Sequence, residues 1–459
     1  MTMLRCISPI DGSVVAERDA LSETQARELV ERARRAQREW AARPLDERVG
    51  AVREGVVRLA AMNDAVEELA RMMGRPIRYG GEFGGASERA NYMCDIAAEA
   101  LSPLVAESSE RFDRRIEREP HGVCLTIAPW NYPYMTAINS VAPALIAGNA
   151  VMLKPATQTL LTAERMVRAF TQAGVPEDVF VAFYGDHATI EALIGARAFN
   201  FVSFTGSVAA GRKIERAAAG TFLPLGLELG GKDPGYVRAD ADLGSAVDGL
   251  MDGAMFNAGQ CCCGIERIYV HESLFDAFVE KAVAFTRALK LGNPLDPETT
   301  LGPMAHPRFA QEVRDQIAEA IATGATAHID PAEFPEDDGG AYLMPQVLTG
   351  VSHEMRVMRE ETFGPVVGIM PVSGDDEAIE LMNDSPYGLT AAIYTAEAEA
   401  ASRIGAALDT GTVFMNRCDY LDPALCWTGC KDTGRGAALS ILGFHSVTRP
   451  KSYHLRKGA

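Results

Sequence analysis

The chain has 459 residues, 47% of them hydrophobic, a formal net charge of −18 and nine cysteines. That length supports more than one core, and the negative balance excludes a nucleic-acid partner, because a phosphate backbone requires clustered Lys and Arg. No apolar run approaches the roughly 20 residues that span a bilayer, the start lacks a secretory leader's pattern, and scattered cysteines read as free thiols, so a cytoplasmic protein without a membrane partner is expected.

Residues 8–21 hold Pro9, Asp11 and Gly12 between short apolar runs and predict a small hairpin. Ser22 followed by Gln25 matches a capping box, and periodic apolar positions predict helices over 30–40, 45–62, 65–73 and 87–101. Residues 111–120 alternate charged and apolar side chains like an exposed ribbon. From Val123 the pattern turns to short β-rich runs, 123–127, 150–153, 179–184, 201–204 and 225–229, separated by helical ones, which predicts βαβ units on a parallel sheet. A second α/β unit follows residue 230, with helices over 243–257, 274–289, 309–322, 376–382 and 398–408 and strands over 365–371, 389–394 and 411–416. The alternating run 449–455 is too short a strand to stand alone.

Several stretches carry chemistry. Residues 256–264, Phe-Asn-Ala-Gly-Gln-Cys-Cys-Cys-Gly, set three thiols side by side; they are either small buried hydrophobes or the home of one nucleophile. Read as a strand, neighbouring side chains point to opposite faces, so at most two sulfurs reach one site and no metal set forms. Glu228 lies between two leucines, where a carboxylate is costly unless paired, hydrated or functional. Gly206 and Gly211 open a helix after the run 201–204, an arrangement that brings phosphate to backbone amides. Pro129 and Pro133 enclose Trp130, Asn131 and Tyr132 in a rigid loop, either a packed turn or a mount for the amide. Gly226, Gly231 and Lys232 nearly spell a nucleotide-phosphate loop, but Asp233 stands where a hydroxyl is required.

Residues 227–232 and 259–262 together resemble the two signatures of the aldehyde dehydrogenase superfamily, and the resemblance extends through five motifs over nearly the whole chain. It implies an α/β fold: a Rossmann-like parallel-sheet NAD(P)-binding domain (1–101 and 121–230), a second α/β catalytic domain (231–432) and a small β oligomerisation arm (102–120 and 446–459). It implies Cys262 as nucleophile, Glu228 as general base and Asn131 as donor to the oxyanion. The cofactor, NAD or NADP, falls to Trp130, Lys154, Thr157, Gly206, Ser207, Gly211, Glu361 and Phe363. Thr157 replaces the family's ribose-binding glutamate, so NADP should be tolerated. No metal is expected. The implied substrate pocket comprises Tyr132, Met135, Cys261, Cys263, Asp419, Leu421 and Trp427, with Tyr420 in the covering loop. Tyr132, Trp427 and Asp419 suit an ω-aminoaldehyde, whereas Arg417 suits a semialdehyde; other aliphatic aldehydes also fit. Ala437 and Ala438 replace the family's common Arg-Glu pair. The implied assembly is a homodimer or homotetramer, and the product is a free acid formed through a thioester. The rival from another class is a cysteine-dependent thioester or ester hydrolase.

Overall fold

The computed structural model describes residues 2–62 and 64–458. Met1 and Asn63 of the expected cofactor domain and Ala459 of the expected arm lie outside the described residues. A six-stranded sheet runs in the order Gly434–Arg435, Leu225–Glu228, Phe201–Thr205, Val123–Ile127, Ala150–Lys154, Phe180–Ala182, all parallel except the two-residue edge. The runs Val123–Ile127 and Ala150–Lys154 are buried throughout, as strands of a parallel sheet with two covered faces must be. The period of two is visible in the packing. Val123, Leu125, Ile127, Ala150 and Met152 join one apolar cluster, while Cys124, Val151 and Leu153 join the other. The chain leaves the central strands in opposite directions, so the order reverses between Val123–Ile127 and Phe201–Thr205. In such sheets the crevice beyond the carboxyl ends at that reversal is where ligands bind.

A seven-stranded sheet follows, in the order Thr326–Ala327, Gln346–Thr349, Val366–Val372, Ile265–His271, Asp233–Val237, Thr390–Tyr394, Thr412–Met415. It has its own core around Leu250, Ile268, Phe278 and Ile369. Only residues 229–232 separate the end of Leu225–Glu228 from the start of Asp233–Val237. The carboxyl ends of the first sheet therefore meet the amino ends of the second. No helix among the described residues is long and apolar enough to cross a membrane.

Two expectations need correction. The N-terminal hairpin is built from Met3–Ile7 and Val14–Asp19, so it starts before residue 8, with Pro9, Asp11 and Gly12 between its two strands. The helix expected over 243–257 ends at Met255, because Asn257 and Ala258 adopt left-handed φ of 53° and 55° that no α-helix accommodates. In the near-phosphate stretch set aside above, Lys232 is buried and ion-paired with Glu266 at 2.5 Å. One edge of the terminal strand, Thr448–Arg456, runs along its own chain's Phe112–Pro120 in register over nine residue pairs.

Candidate active site

A cavity of ≈ 270 Å³ opens where the two sheets meet. Glu228 projects into it from the last position of Leu225–Glu228, and Tyr132 and Met135 reach it from the start of helix Pro133–Ile146. Cys261, Cys262 and Cys263 line it together, facing Asp419, Leu421 and Trp427 from the loop beyond Thr412–Met415. Tyr420 and Arg417 do not line it. Tyr420 donates its hydroxyl to Glu88 at 2.6 Å, and Arg417 stacks on the Tyr420 ring at 4.0 Å beside a separate open groove.

The cysteine run is not a strand, and the expectation that its sulfurs diverge is wrong. After the left-handed Asn257 and Ala258 comes Gly259 at φ 69°, and Gly264 N–H donates to the Cys261 carbonyl at 3.1 Å. That bond closes a turn with Cys262 and Cys263 at its corners, so all three sulfurs lie within 4.8 Å of one another. Cys261 and Cys263 donate to Asp419 Oδ1 at 3.2 and 2.9 Å. The polar contact with the Cys261 and Cys263 thiols on either side holds the Cys262 thiol below its ordinary value, while its two neighbours are pushed up. Cys262 is thus the thiol most readily ionised, and the thiolate is the nucleophilic form.

Glu228 accepts the Thr205 hydroxyl at 3.2 Å. Burial among apolar neighbours outweighs that bond and raises its carboxyl to about 7, the range of a general base at neutral pH. Asn131 donates Nδ2–H to the Gln260 carbonyl at 3.2 Å, immediately before the cysteines, and the second amide N–H remains to donate elsewhere. Its loop is anchored by two residues that motif reading missed. The Arg75 guanidinium binds the Asn131 carbonyl and pairs with Glu82 at 2.9 Å. Glu82 in turn accepts Tyr134 and Met135 N–H at 3.0 and 2.7 Å, which caps the helix carrying Tyr132 and Met135 near its start.

Several of the residues expected at the cofactor stand at the carboxyl ends of the first sheet's strands, Lys154 closing Ala150–Lys154 and Gly206 and Ser207 following Phe201–Thr205. Ser207 caps helix Val208–Ala218, accepting Ala210 N–H at 3.3 Å, and Gly206 N–H ties back to the Glu228 carbonyl. A Cβ on Gly211 would come within 2.5 Å of a Leu229 methyl, so glycine here lets Leu229 pack against the helix start without shifting. The Lys154 amine, at the end of its strand, is lowered to about 8 by burial, and Thr157 is exposed one turn on. Trp130 packs edge-on to Phe363 at 5.6 Å. The Glu361 carboxyl accepts Gly231 N–H at 3.1 Å, and burial raises it to about 8. Glu266 fixes this last loop by accepting Thr362 and Phe363 N–H at 2.8 and 2.9 Å. A helix start that follows a strand end at such a reversal is the arrangement that receives a dinucleotide's phosphates.

Sequence reading did not assign Arg89, Thr136, Thr205, Leu229, Asp252 or Phe256 to the cavity wall, which they line together with Asn139. Arg89 was findable: it shares one helical face with Ala86, Ala90, Met93 and Ala97, so periodicity alone places a charge on a buried stripe.

The family model described as "Aldehyde dehydrogenase family" matches residues 1–453. The chain is 34% identical to the succinate-semialdehyde dehydrogenase [NADP(+)] of Deinococcus radiodurans, over 97% of this chain and 93% of that one. It is 32% identical to a betaine aldehyde dehydrogenase of Rhizobium leguminosarum bv. trifolii, over 100% and 94%. Among solved structures, an indole-3-acetaldehyde dehydrogenase complexed with NAD+ superposes with a TM-score of 0.93 at 31% identity, over 99% of this chain and 93% of that one.

Proposed function

We propose how this chain, which belongs to the aldehyde dehydrogenase family and is an NAD(P)-dependent aldehyde oxidoreductase, divides the reaction among its residues. Cys262, as thiolate, attacks the aldehyde carbon and forms a thiohemiacetal. The oxygen, now bearing negative charge, takes hydrogen bonds from the free Asn131 amide N–H and the Cys262 backbone N–H, an effect of about 3 to 4 kcal/mol per donor in comparable sites. Bound NAD(P) supplies the hydride acceptor. Collapse leaves a thioester on Cys262; Glu228 takes a proton from water, the hydroxide displaces sulfur, and the free acid leaves with Cys262 again a thiolate.

The observation that supports this division is the opposition of two groups across one cavity, a thiol held below its ordinary value and a carboxyl raised to about 7. The same reading assigns residues 1–101 and 121–230 to the cofactor, 231–432 to catalysis, and the three-stranded sheet of Leu104–Ser108, Phe112–Pro120 and Thr448–Arg456 to subunit contact. Thr448–Arg456 lies at that sheet's edge with one side unpaired, and an open nine-residue edge is a template for another chain. Thr157 brings no negative charge to the ribose end, so both NAD and NADP are accepted. The relatives' printed substrates differ in charge, succinate semialdehyde being an anion and betaine aldehyde a cation, so the names do not choose between them.

The test is pre-steady-state. Cys262→Ala should give no reduced nicotinamide with any aldehyde. Glu228→Gln should give a burst of about one equivalent per site followed by turnover slowed roughly 10²- to 10⁴-fold. Because Glu228 works as the carboxylate, kcat should fall about tenfold per pH unit below about 7 and level off above it, and the glutamine variant should lose that limb. Steady turnover by Cys262→Ala would sink the assignment; ester hydrolysis by the unmodified chain with no hydride transfer to either coenzyme would favour the hydrolase.

A further inference from the structure

The cavity holds a cation that the cycle above does not use. Arg89 is 6% exposed, lies on the buried face of helix Phe83–Ala100 and lines the wall shared by Cys262 and Glu228. Both of its hydrogen bonds come from one nitrogen: Nη1 donates to the Met135 carbonyl at 3.0 Å and to Asn139 Oδ1 at 3.4 Å. Nε and Nη2, the edge that grips a carboxylate in a two-point fork, are free of protein partners among the described residues. Other buried arginines are provided for. Arg75 has Glu82, Arg165 has Asp64 and Glu68, and Arg267 spreads three nitrogens over backbone carbonyls and Tyr269.

Asn139 supplies an independent sign. It is 2% exposed and lines the same wall. With Oδ1 committed to Arg89, its Nδ2 is buried without an acceptor, a cost that a ligand oxygen would remove. Cys263, Glu82, Cys262 and Glu228 attract Arg89, but none of them forms an ion pair or hydrogen bond with it among the described residues, and Asp419 already accepts two thiols. An ammonium substrate is poorly served, since the Tyr132 ring is covered by the Arg75 guanidinium at 4.5 Å.

We propose that Arg89 and Asn139 form an anion subsite for the substrate's own carboxylate, and that the aldehydes this chain oxidises are oxo acids. The carboxylate sits on the Nε–Nη2 edge with Asn139 Nδ2 as a further donor, and the aldehyde end reaches Cys262. This rests on the Cys262 cavity being the site of oxidation.

The experiment compares kcat/KM for glutaric semialdehyde, its methyl ester and 4-trimethylammoniobutanal in the unmodified chain, Arg89→Gln and Asn139→Asp. In the unmodified chain the carboxylate should exceed the ester by about ten- to a hundredfold, with the ammonium aldehyde poorest. Arg89→Gln should collapse that ratio through KM for the carboxylate. Asn139→Asp keeps the guanidinium and sets a negative group against it, and should collapse the ratio too, which decides the matter if the glutamine variant fails to fold. A ratio near one in the unmodified chain, or one that survives both variants, overturns the subsite. Loss of kcat for all three aldehydes alike overturns it too, because Arg89 would then act on Cys262 rather than on the substrate. Should none of the three reduce either coenzyme, the Cys262 reading falls as well; an ester that turns over while the ratio fails removes the subsite alone.

Discussion

On the proposed mechanism, one amide at position 131 divides its two N–H groups between structure and chemistry. The first holds the Gln260 carbonyl at 3.2 Å and so sets the distance between the proline-bounded loop and the cysteine turn; the second is the one offered to the oxyanion. Asn131→Ala should therefore lower kcat about 10²- to 10³-fold while KM changes much less, as steady-state kinetics with one aldehyde would show; an unchanged kcat would assign the oxyanion to other donors. Thr157 acts through what it lacks. A carboxylate placed there by Thr157→Glu would repel a 2′-phosphate, so the ratio of kcat/KM for NADP over NAD should fall about tenfold or more. A ratio that does not move would place the adenine ribose elsewhere.

Between residue and sheet, the decisive piece is the four-residue link from Glu228 to Asp233. A Cβ on Gly231 would lie 2.6 Å from the Cys262 carbonyl oxygen, closer than any real contact, so the link and the cysteine turn pack backbone to backbone. Gly231→Ala must push the turn away from Glu228. The expected result is a fall in kcat for every aldehyde, with a loss of folding stability of about 1 to 3 kcal/mol, read by enzyme assay and by denaturant unfolding. Full activity with unchanged stability would show that the turn has room to move. The neighbouring Asn257 and Ala258 explain why the cysteine run escaped strand reading: their left-handed φ values redirect the chain within two residues, and nothing in their side chains announces it.

At the scale of the molecule, two mainly parallel sheets, each with one antiparallel edge, share one junction, and the arm forms a separate three-stranded sheet. Removing residues 448–459 would take away the strand that covers Phe112–Pro120 along nine pairs, leaving a charged two-stranded ribbon. The expected outcome is a shift to a smaller assembly in analytical ultracentrifugation, with the two main sheets still folded by circular dichroism; an unchanged sedimentation coefficient would move the subunit contact elsewhere. Alternation of apolar strands and helices made the layered α/β architecture legible from the chain alone, because period two and period 3.6 are properties of consecutive residues. The capping box at Ser22 was legible for the same reason, and Glu228 and the three thiols stood out because they are costly or reactive where they stand, whereas the choice of Cys262 among the thiols and of Asn131 as donor came from the family resemblance. What the chain in one dimension could not decide is convergence. Three sulfurs meet in one turn, Arg89 enters the cavity wall while Arg417 stays outside it, and the last strand pairs with its own hairpin. Each of these outcomes depends on backbone angles or on contacts between residues far apart in sequence, and so belongs to the tertiary structure.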